Sequence, residues 1–565
     1  MTGKLHLCNE AAREIGWADT IGIKLTEPAR AIWVESAFMS LALRNAVCFA
    51  IALLFAGCAT FRIDVERVPS EAWPRPDETA LGRIVAERLA ASPGQSGFRL
   101  LDSGLDAFAA RAALAEAAER TLDLQYYIIR EDMTTQLLLY KALRAADRGV
   151  RVRLLVDDMY AVGKDFDLAT FSAHSNIEVR VFNPFLARGP LGLSRLFEFI
   201  GSSARLNRRM HNKLWIADNA AAIVGGRNLG DEYFDAHIDA HGEVNFTDLD
   251  VLALGPVVGK TSKSFDDYWN SEWAVPIEAF VASPPGREQI ADFATALAQR
   301  VEEFRDTEYT RELRDQRFGR QLRRGELPVV IAPAEVLYDN PAKAVARGDG
   351  AQPSPITLSV RTRIEGAERE VILISPYLIP SEHGVTMFPG LVRRGVRVRV
   401  LTNSLASTDA PVVHAAYARY RPRLLAGGVE IYEMHPLPAS GRAKGKRRLG
   451  SSGASLHAKA IVVDRRFVVI GSLNLDPRSR LHNTEIAMLI ESAELGAQVA
   501  KLFEDGVNPL DAFRVELAER DRPEAGLVWF AEEEGKPVRY TSEPAGFWKR
   551  FAARLLSLFA PEHML

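Results

Sequence analysis

Cysteine is almost missing from the 565-residue chain: its three copies, Cys8, Cys48 and Cys58, all lie near the N-terminus. The rest of the chain has no thiol to crosslink or to ligate a metal, which excludes a disulfide framework and a thiolate zinc site. An excess of charge of one sign is lacking too. Lys and Arg number 70 against 73 Asp and Glu, a net charge of -3, so any attraction for phosphate must come from local basic clusters. Long apolar runs are confined to residues 46–57, too short to span a bilayer as a relaxed helix but of the right length for a signal-peptide core. Apolar residues at 47% and charged residues at 25% describe a globular protein and not a bundle of spanning helices. The length implies roughly two to four domains.

What is present is organised twice. Helix formers fill 107–119, alternating apolar residues predict a strand over 122–127, and a helix over 137–146 and strands over 150–156 and 177–182 follow. The second half restarts the series with a strand over 370–375, a helix over 387–393 and a strand over 396–401. The hexapeptide Arg-Gly-Val-Arg-Val-Arg begins at Arg148 and again at Arg394, and two histidine motifs begin at His211 and His457. Both differences, 394 − 148 and 457 − 211, equal 246. Two unrelated features sharing one spacing point to an internal duplication.

The first motif is His211-Asn212-Lys213, then Asp218, Gly225, Gly226 and Asn228. The second is His457-Ala458-Lys459, then Asp464, Gly471, Ser472 and Asn474. Both fit H-x-K-x4-D-x6-G-[GS]-x-N. A lone histidine is more often structural than catalytic, but six matched positions found twice reverse that presumption. The apolar, strand-like segments that follow each motif place His and Lys, two apart, on one side of an extended chain, where both face one anion. Lysine supplies fixed charge and asparagine an amide donor for phosphate oxygens, and the glycines allow close backbone approach. One half-site cannot both attack a phosphorus and protonate a leaving group on its far side. Two half-sites facing each other can.

These motifs resemble those of the phospholipase D superfamily, over nearly all of the chain from residue 81 onward. The resemblance implies an α/β fold of two similar halves, each a mixed β-sheet flanked by helices, packed as a pseudo-dimer. It implies one active site with His211, Lys213, Asp218, His457, Lys459 and Asp464 as its catalytic set, Asn228, Asn474 and Ser472 as phosphate-binding residues, and no metal or cofactor. In that family one histidine attacks phosphorus and the other protonates the leaving oxygen. His211 is assigned as nucleophile and His457 as general acid/base, although the near symmetry of the halves leaves the reverse open. Asp248 and Asp250 in the first half and Glu485 in the second stand where the family places a carboxylate that orients a histidine; Asp248 is favoured over Asp250, which reads equally well as an ordinary strand-end carboxylate. Asp218 and Asp464 read more readily as residues holding turns within each motif than as residues touching substrate.

The segments 124–128, 205–211, 225–234, 375–377, 401–405 and 473–479 look like the bacterial cardiolipin synthases of the C type. This implies phosphatidyl transfer between phospholipids. A lipid hydrolase of the same superfamily, or a nuclease-like or noncatalytic surface protein, remains open; a nuclease would want a long basic groove, so nucleic acid is not an expected partner. Two basic stretches, 205–209 and 442–448, could receive lipid phosphates. Phe55-Ala56-Gly57-Cys58 resembles a lipobox with Phe in place of the usual Leu, and Met39 stands where its signal would begin. The expected organisation is therefore an upstream extension (1–38), a lipoprotein-type signal (39–58), a tether (59–80), a first half (81–277), a helical connector (278–349), a second half (350–510) and a C-terminal segment (511–565). Phe547, Trp548, Phe551, Leu555, Leu558 and Phe559 fall within one third of a helical wheel, an amphipathic helix suited to a membrane surface. The expected location is the bacterial envelope, facing the periplasm.

Overall fold

The computed structural model describes residues 65–559 apart from 162, 186–202, 237–244, 316–319, 322–323, 325, 346–353, 437–454 and 534. The expected upstream extension, the signal with Cys58, and the basic stretch 442–448 lie outside the described residues. The first half carries β1 (Ser96–Leu101), β2 (Thr121–Tyr126), β3 (Arg151–Asp157), β4 (Ile177–Phe182), β5 (Leu214–Ala217), β6 (Ala221–Gly225), β7 (Phe246–Thr247), β8 (Asp250–Leu254), β9 (Ala274–Pro276) and β10 (Val330–Ala332). All but β7 form one sheet, in the order β10-β1-β8-β6-β5-β2-β3-β4-β9. The second half carries β11 (Ala334–Tyr338), β12 (Glu370–Ile374), β13 (Arg397–Asn403), β14 (Glu430–Met434), β15 (Ser455–Leu456), β16 (Ala460–Val463), β17 (Phe467–Gly471), β18 (Ile486–Glu491), β19 (Ala512–Leu517), β20 (Leu527–Glu533) and β21 (Lys536–Tyr540). Its sheet runs β11-β18-β17-β16-β12-β13-β14-β19-β20-β21. In each, three parallel strands (β2, β3, β4; β12, β13, β14) are flanked by antiparallel ones. The mixed α/β duplication is therefore the architecture found.

The repeated hexapeptide does the same structural task twice. Arg148 donates to the carbonyls of Ala115, Glu116 and Ala118, and Arg394 to those of Glu365 and Ala367, so each guanidinium closes the end of the helix that leads into β2 or β12, Gly104–Ala117 and Pro355–Glu365. Gly149 and Gly395 then take φ of 92° and 89°, the left-handed turn that feeds β3 and β13 and that a side chain would strain. Further along, Arg153 is buried in a pair with Asp123 and Asp266, and Arg399 pairs with Glu370 and Glu504.

Strand alternation explains how the halves pack. Trp215 and Ala217 of β5 face a core made only of the first half, while Leu214 and Ile216 face a second core. Ile461 and Val463 of β16 face a core made only of the second half, while Ala460 and Val462 enter the same shared core. The two sheets thus bury their inner faces against each other, as period-two side-chain alternation requires.

Three sequence expectations need correction. Residues 67–73, read as a tether, are bonded to the body: Ser70 N donates to Asn270, Ala72 N to Asp266, and Arg153 and Arg180 donate to the Ser70 and Val68 carbonyls. The helical connector holds helices Arg287–Glu303 and Glu308–Asp315 but also β10 and β11, one edge strand for each sheet. The C-terminal segment continues the second sheet with β19 to β21 before helix Phe547–Phe559. Among the described residues no helix is long and apolar enough to cross a membrane.

Candidate functional site

His211 and Lys213 immediately precede β5, and His457 and Lys459 immediately precede β16. Each motif is clamped by backbone from the opposite half. His211 N donates to Thr484 O (2.9 Å), and Thr484 N donates to Arg209 O (2.9 Å). His457 N donates to Thr247 O (2.8 Å), extending the parallel pairing of β7 with β15. The residue after each threonine is a buried carboxylate, which therefore reaches the histidine of the other half. His211 Nδ1 lies 3.0 Å from Glu485 Oε2, and His457 Nδ1 lies 2.6 Å from Asp248 Oδ2. With Nδ1 engaged, Nε2 is the ring nitrogen left for chemistry on each histidine.

Aromatic rings fix both imidazoles edge-on or tilted. Tyr127 lies 5.2 Å from His211, and Tyr233 and Phe246 each lie 5.2 Å from His457. Lys213 Nζ donates to His211 O (2.6 Å), and Lys459 Nζ lies 3.0 Å from His457 Nδ1. Both lysines and both histidines are buried. Burial, then the nearby lysines, pushes His211 well below the ordinary imidazole value. Burial and Lys459 also lower His457, against the opposing pull of Asp248. Burial lowers both lysines.

The two carboxylates are tuned in opposite directions. Burial pushes Glu485 up to about 7, although Lys213 and the Ser472 and Ser479 hydroxyls pull it down. Burial also acts on Asp248, but His457 and Lys459 outweigh it and hold that carboxyl below its ordinary value. The glycine and serine at matched motif positions follow from this difference. A Cβ on Gly226 would come within 2.1 Å of Asp248 Oδ1, so the first half has no room for a side chain there. Ser472 instead donates to Glu485 Oε2, and Ser479 donates to Oε1 at 2.7 Å.

The structure redistributes several expected roles. Asp218 accepts from the backbone N–H groups of Glu119, Arg120 and Thr121, and Asp464 from those of Glu368, Arg369 and Glu370. Both carboxylates anchor the entries to β2 and β12, so neither belongs to the catalytic set. Asn228 accepts from Ile128 N (3.2 Å) and gives one amide N–H to the Tyr233 hydroxyl (2.9 Å), which leaves its second N–H for a phosphate oxygen, whereas the Ser472 hydroxyl is donated to Glu485. The buried Asn474 Oδ1 has no partner among the described residues, and it is the N–H groups of the same amide that could donate to a phosphate oxygen. Asp250 is held by Arg111 at 2.9 Å, as a structural carboxylate. Of the basic stretch before the first motif, Arg209 is fully buried on Asp157, out of reach of a lipid phosphate, and the half-buried Arg205 donates to Asn183 and to Pro184 O. Residues the motifs did not announce are Tyr127, Tyr233, Phe246, Ser479 and Arg478. Arg478 crosses the interface to Asn207 and adds positive charge near His211.

The chain is 42% identical over 477 residues to cardiolipin synthase C of Escherichia coli (strain K12), a match covering 84% of this chain and 97% of that protein. It is 26% identical over 409 residues to cardiolipin synthase A of Pseudomonas putida (strain GB-1), covering 72% and 67%. Among solved structures, phosphatidylserine synthase of Haemophilus influenzae Rd KW20 matches its fold with a TM-score of 0.53 at 13% identity, covering 86% of this chain and 100% of that one. The family described as cardiolipin synthase, PLD-like domain, matches residues 112–269 and 360–506, once in each half. The chain therefore belongs to the phospholipase D superfamily, in its cardiolipin synthase C-type branch.

Proposed function

We propose that the chain is a phosphatidyltransferase that makes cardiolipin from phosphatidylglycerol and a second phospholipid through a phosphohistidine intermediate. The observation that carries this reading is the crossed pair of histidine–carboxylate contacts, Glu485 on His211 and Asp248 on His457, made at one interface with opposite tuning. Glu485 is held near neutral charge, so His211 has little reason to stay protonated and its Nε2 lone pair is free to attack. Asp248 is held ionised, which favours the imidazolium form of His457 once a phosphodiester brings negative charge between Lys213 and Lys459.

In the first step His211 Nε2 bonds to the donor phosphorus, the bond to the headgroup oxygen breaks, and His457 gives that oxygen its Nε2 proton. In the second, neutral His457 takes the proton from a hydroxyl of phosphatidylglycerol. That oxygen attacks phosphorus and releases His211. Lys213, Lys459 and Asn474 are assigned to the nonbridging oxygens. Asp248 and Glu485 are positioning residues. Phospholipids are the substrates implied by the family, and the enzyme is membrane-associated. Lipid attached at Cys58 would hold it on the periplasm-facing envelope.

The test is turnover in vesicles of phosphatidylglycerol, alone and with phosphatidylethanolamine. Cardiolipin should dominate over phosphatidic acid. Phosphatidic acid as the main product would mean that water is the acceptor and that the chain is a hydrolase.

A further inference from the structure

The C-terminal helix Phe547–Phe559 is mounted with its faces reversed relative to a helix that packs for burial. Ala553 is buried with Leu405 and Ala415, and the half-buried Lys549 donates to the carbonyls of Ala406 (2.8 Å) and Thr408 (3.3 Å). The aromatic side points away from the protein: Phe547 is 65% exposed and Trp548 76%, more than any other large apolar side chain among the described residues, with Phe551 and Leu555 also exposed. Uncovered apolar area on this scale is unfavourable in water. Beside it, Arg419, Arg550 and Arg554 line a cavity of about 750 Å³ that also touches Phe547 and Phe551. Aromatic side chains flanked by guanidinium groups match the layered chemistry of a bilayer surface, with apolar boundary below and anionic headgroups above.

The helix is tied to the catalytic centre. The loop it grips, 404–410, follows β13, whose last residue, Asn403, exchanges hydrogen bonds with both the N–H and the carbonyl of Leu456, the residue before His457. Asp409 of that loop accepts from the Tyr377 hydroxyl. The first half carries a counterpart, since exposed Tyr160 packs 5.3 Å from Tyr127, which stands against His211. We infer that helix Phe547–Phe559 docks the chain on an anionic bilayer through Phe547, Trp548, Phe551 and Leu555, with Arg550 and Arg554 on headgroup phosphates, and so holds the 404–410 side of the active site at headgroup level. This deepens the phosphatidyltransferase reading by naming how the site meets lipid, and it rests on that reading for its purpose.

Because all three cysteines lie at the N-terminus, a single label can be placed on this helix without disturbing the body. The full chain carrying Cys8→Ser, Cys48→Ser, Cys58→Ser and Leu555→Cys is labelled with an environment-sensitive fluorophore. Phosphatidylglycerol vesicles should shift the emission to the blue and block iodide quenching, and phosphatidylcholine vesicles should do so much less. A label that stays open to iodide while the protein sediments with phosphatidylglycerol vesicles would overturn the inference, and so would equal protection by both lipids. In a second arm, Phe547→Ser, Trp548→Ser and Phe551→Ser together should lower the ratio of vesicle turnover to detergent-dispersed turnover by about tenfold or more. An unchanged ratio would contradict the docking. Failure of the transferase reading is seen separately, as no cardiolipin from the unsubstituted chain in either format, whatever the label reports.

Discussion

Replacing Glu485 by glutamine should raise stability at neutral pH while destroying activity. Glu485 is fully buried and its carboxyl is held at about 7, against 4.5 for an ordinary glutamate. A tenfold change in proton affinity is worth about 1.4 kcal/mol, so ionising this group in the folded protein costs about 3 kcal/mol more than in the unfolded chain. The folded value is raised, so below pH 4.5 both states hold the proton and there is no contribution. Between 4.5 and 7 only the folded state holds it, and stability falls as pH rises. Above 7 the whole cost is present. Glutamine carries no such proton. The variant's melting temperature minus the parent's should therefore climb between pH 4.5 and 7.5, by about 3 °C for a chain of this size. The difference is the quantity to read, because Asp106 (about 6) titrates in the same window in both proteins and cancels, while Asp476 (about 7), which the Glu485 charge helps to raise, is relieved in the variant and adds to the climb in the same sense. Calorimetry at four or five pH values suffices. Turnover should drop by about a thousandfold, since an amide no longer fixes the His211 tautomer. A difference that stays flat with pH would refute the electrostatic reading of Glu485.

Asp248→Asn should behave in the opposite sense. Its folded value is depressed by His457 and Lys459, so it contributes stability above the ordinary carboxylate range, and the variant should melt lower at pH 7 with the gap closing in acid. Gly226→Ser gives the first motif the serine of the second, yet its Cβ would strike Asp248 Oδ1 at 2.1 Å, so kcat should fall at least about a hundredfold through loss of the His457 contact. His211→Ala and His457→Ala should each abolish turnover, and the double variant should be no worse than either single one. Single losses that multiply would mean two independent sites.

The duplication was legible because the chemistry demands the same groups twice, and three strand pairs keep the 246-residue offset: β3 and β13 start at 151 and 397, β5 and β16 at 214 and 460, β6 and β17 at 221 and 467. The crossing of the carboxylates was not legible. Asp248 and Glu485 each follow a histidine of their own half, and their separation of 485 − 248, or 237, breaks the common offset because the intervening segments differ in length. Nothing in one chain's order says that the partner lies across an interface. The roles of Asp218 and Asp464 illustrate a related limit. Part of a motif can recur for the backbone it holds, and three N–H groups on one carboxylate are visible only in the fold. Strands β10 and β11 were hidden because Pro333, which cannot continue a ladder, separates them and sends each to a different sheet. The C-terminal amphipathic pattern was plain in sequence, but which face meets the body depends on Lys549 and Ala553 finding carbonyls and apolar partners there.

The measurement closest to the central claim is acid-free quenching of the enzyme during turnover of radiolabelled phosphatidylglycerol, followed by proteolysis and mass spectrometry of the two histidine peptides. His457→Asn, which slows breakdown of the intermediate, should be compared alongside the parent. The covalent mechanism predicts a phosphatidyl adduct on the peptide containing His211 and none on the peptide containing residue 457. An adduct on His457 in the parent would reverse the assignment, and transfer without an adduct on either histidine would contradict the covalent mechanism.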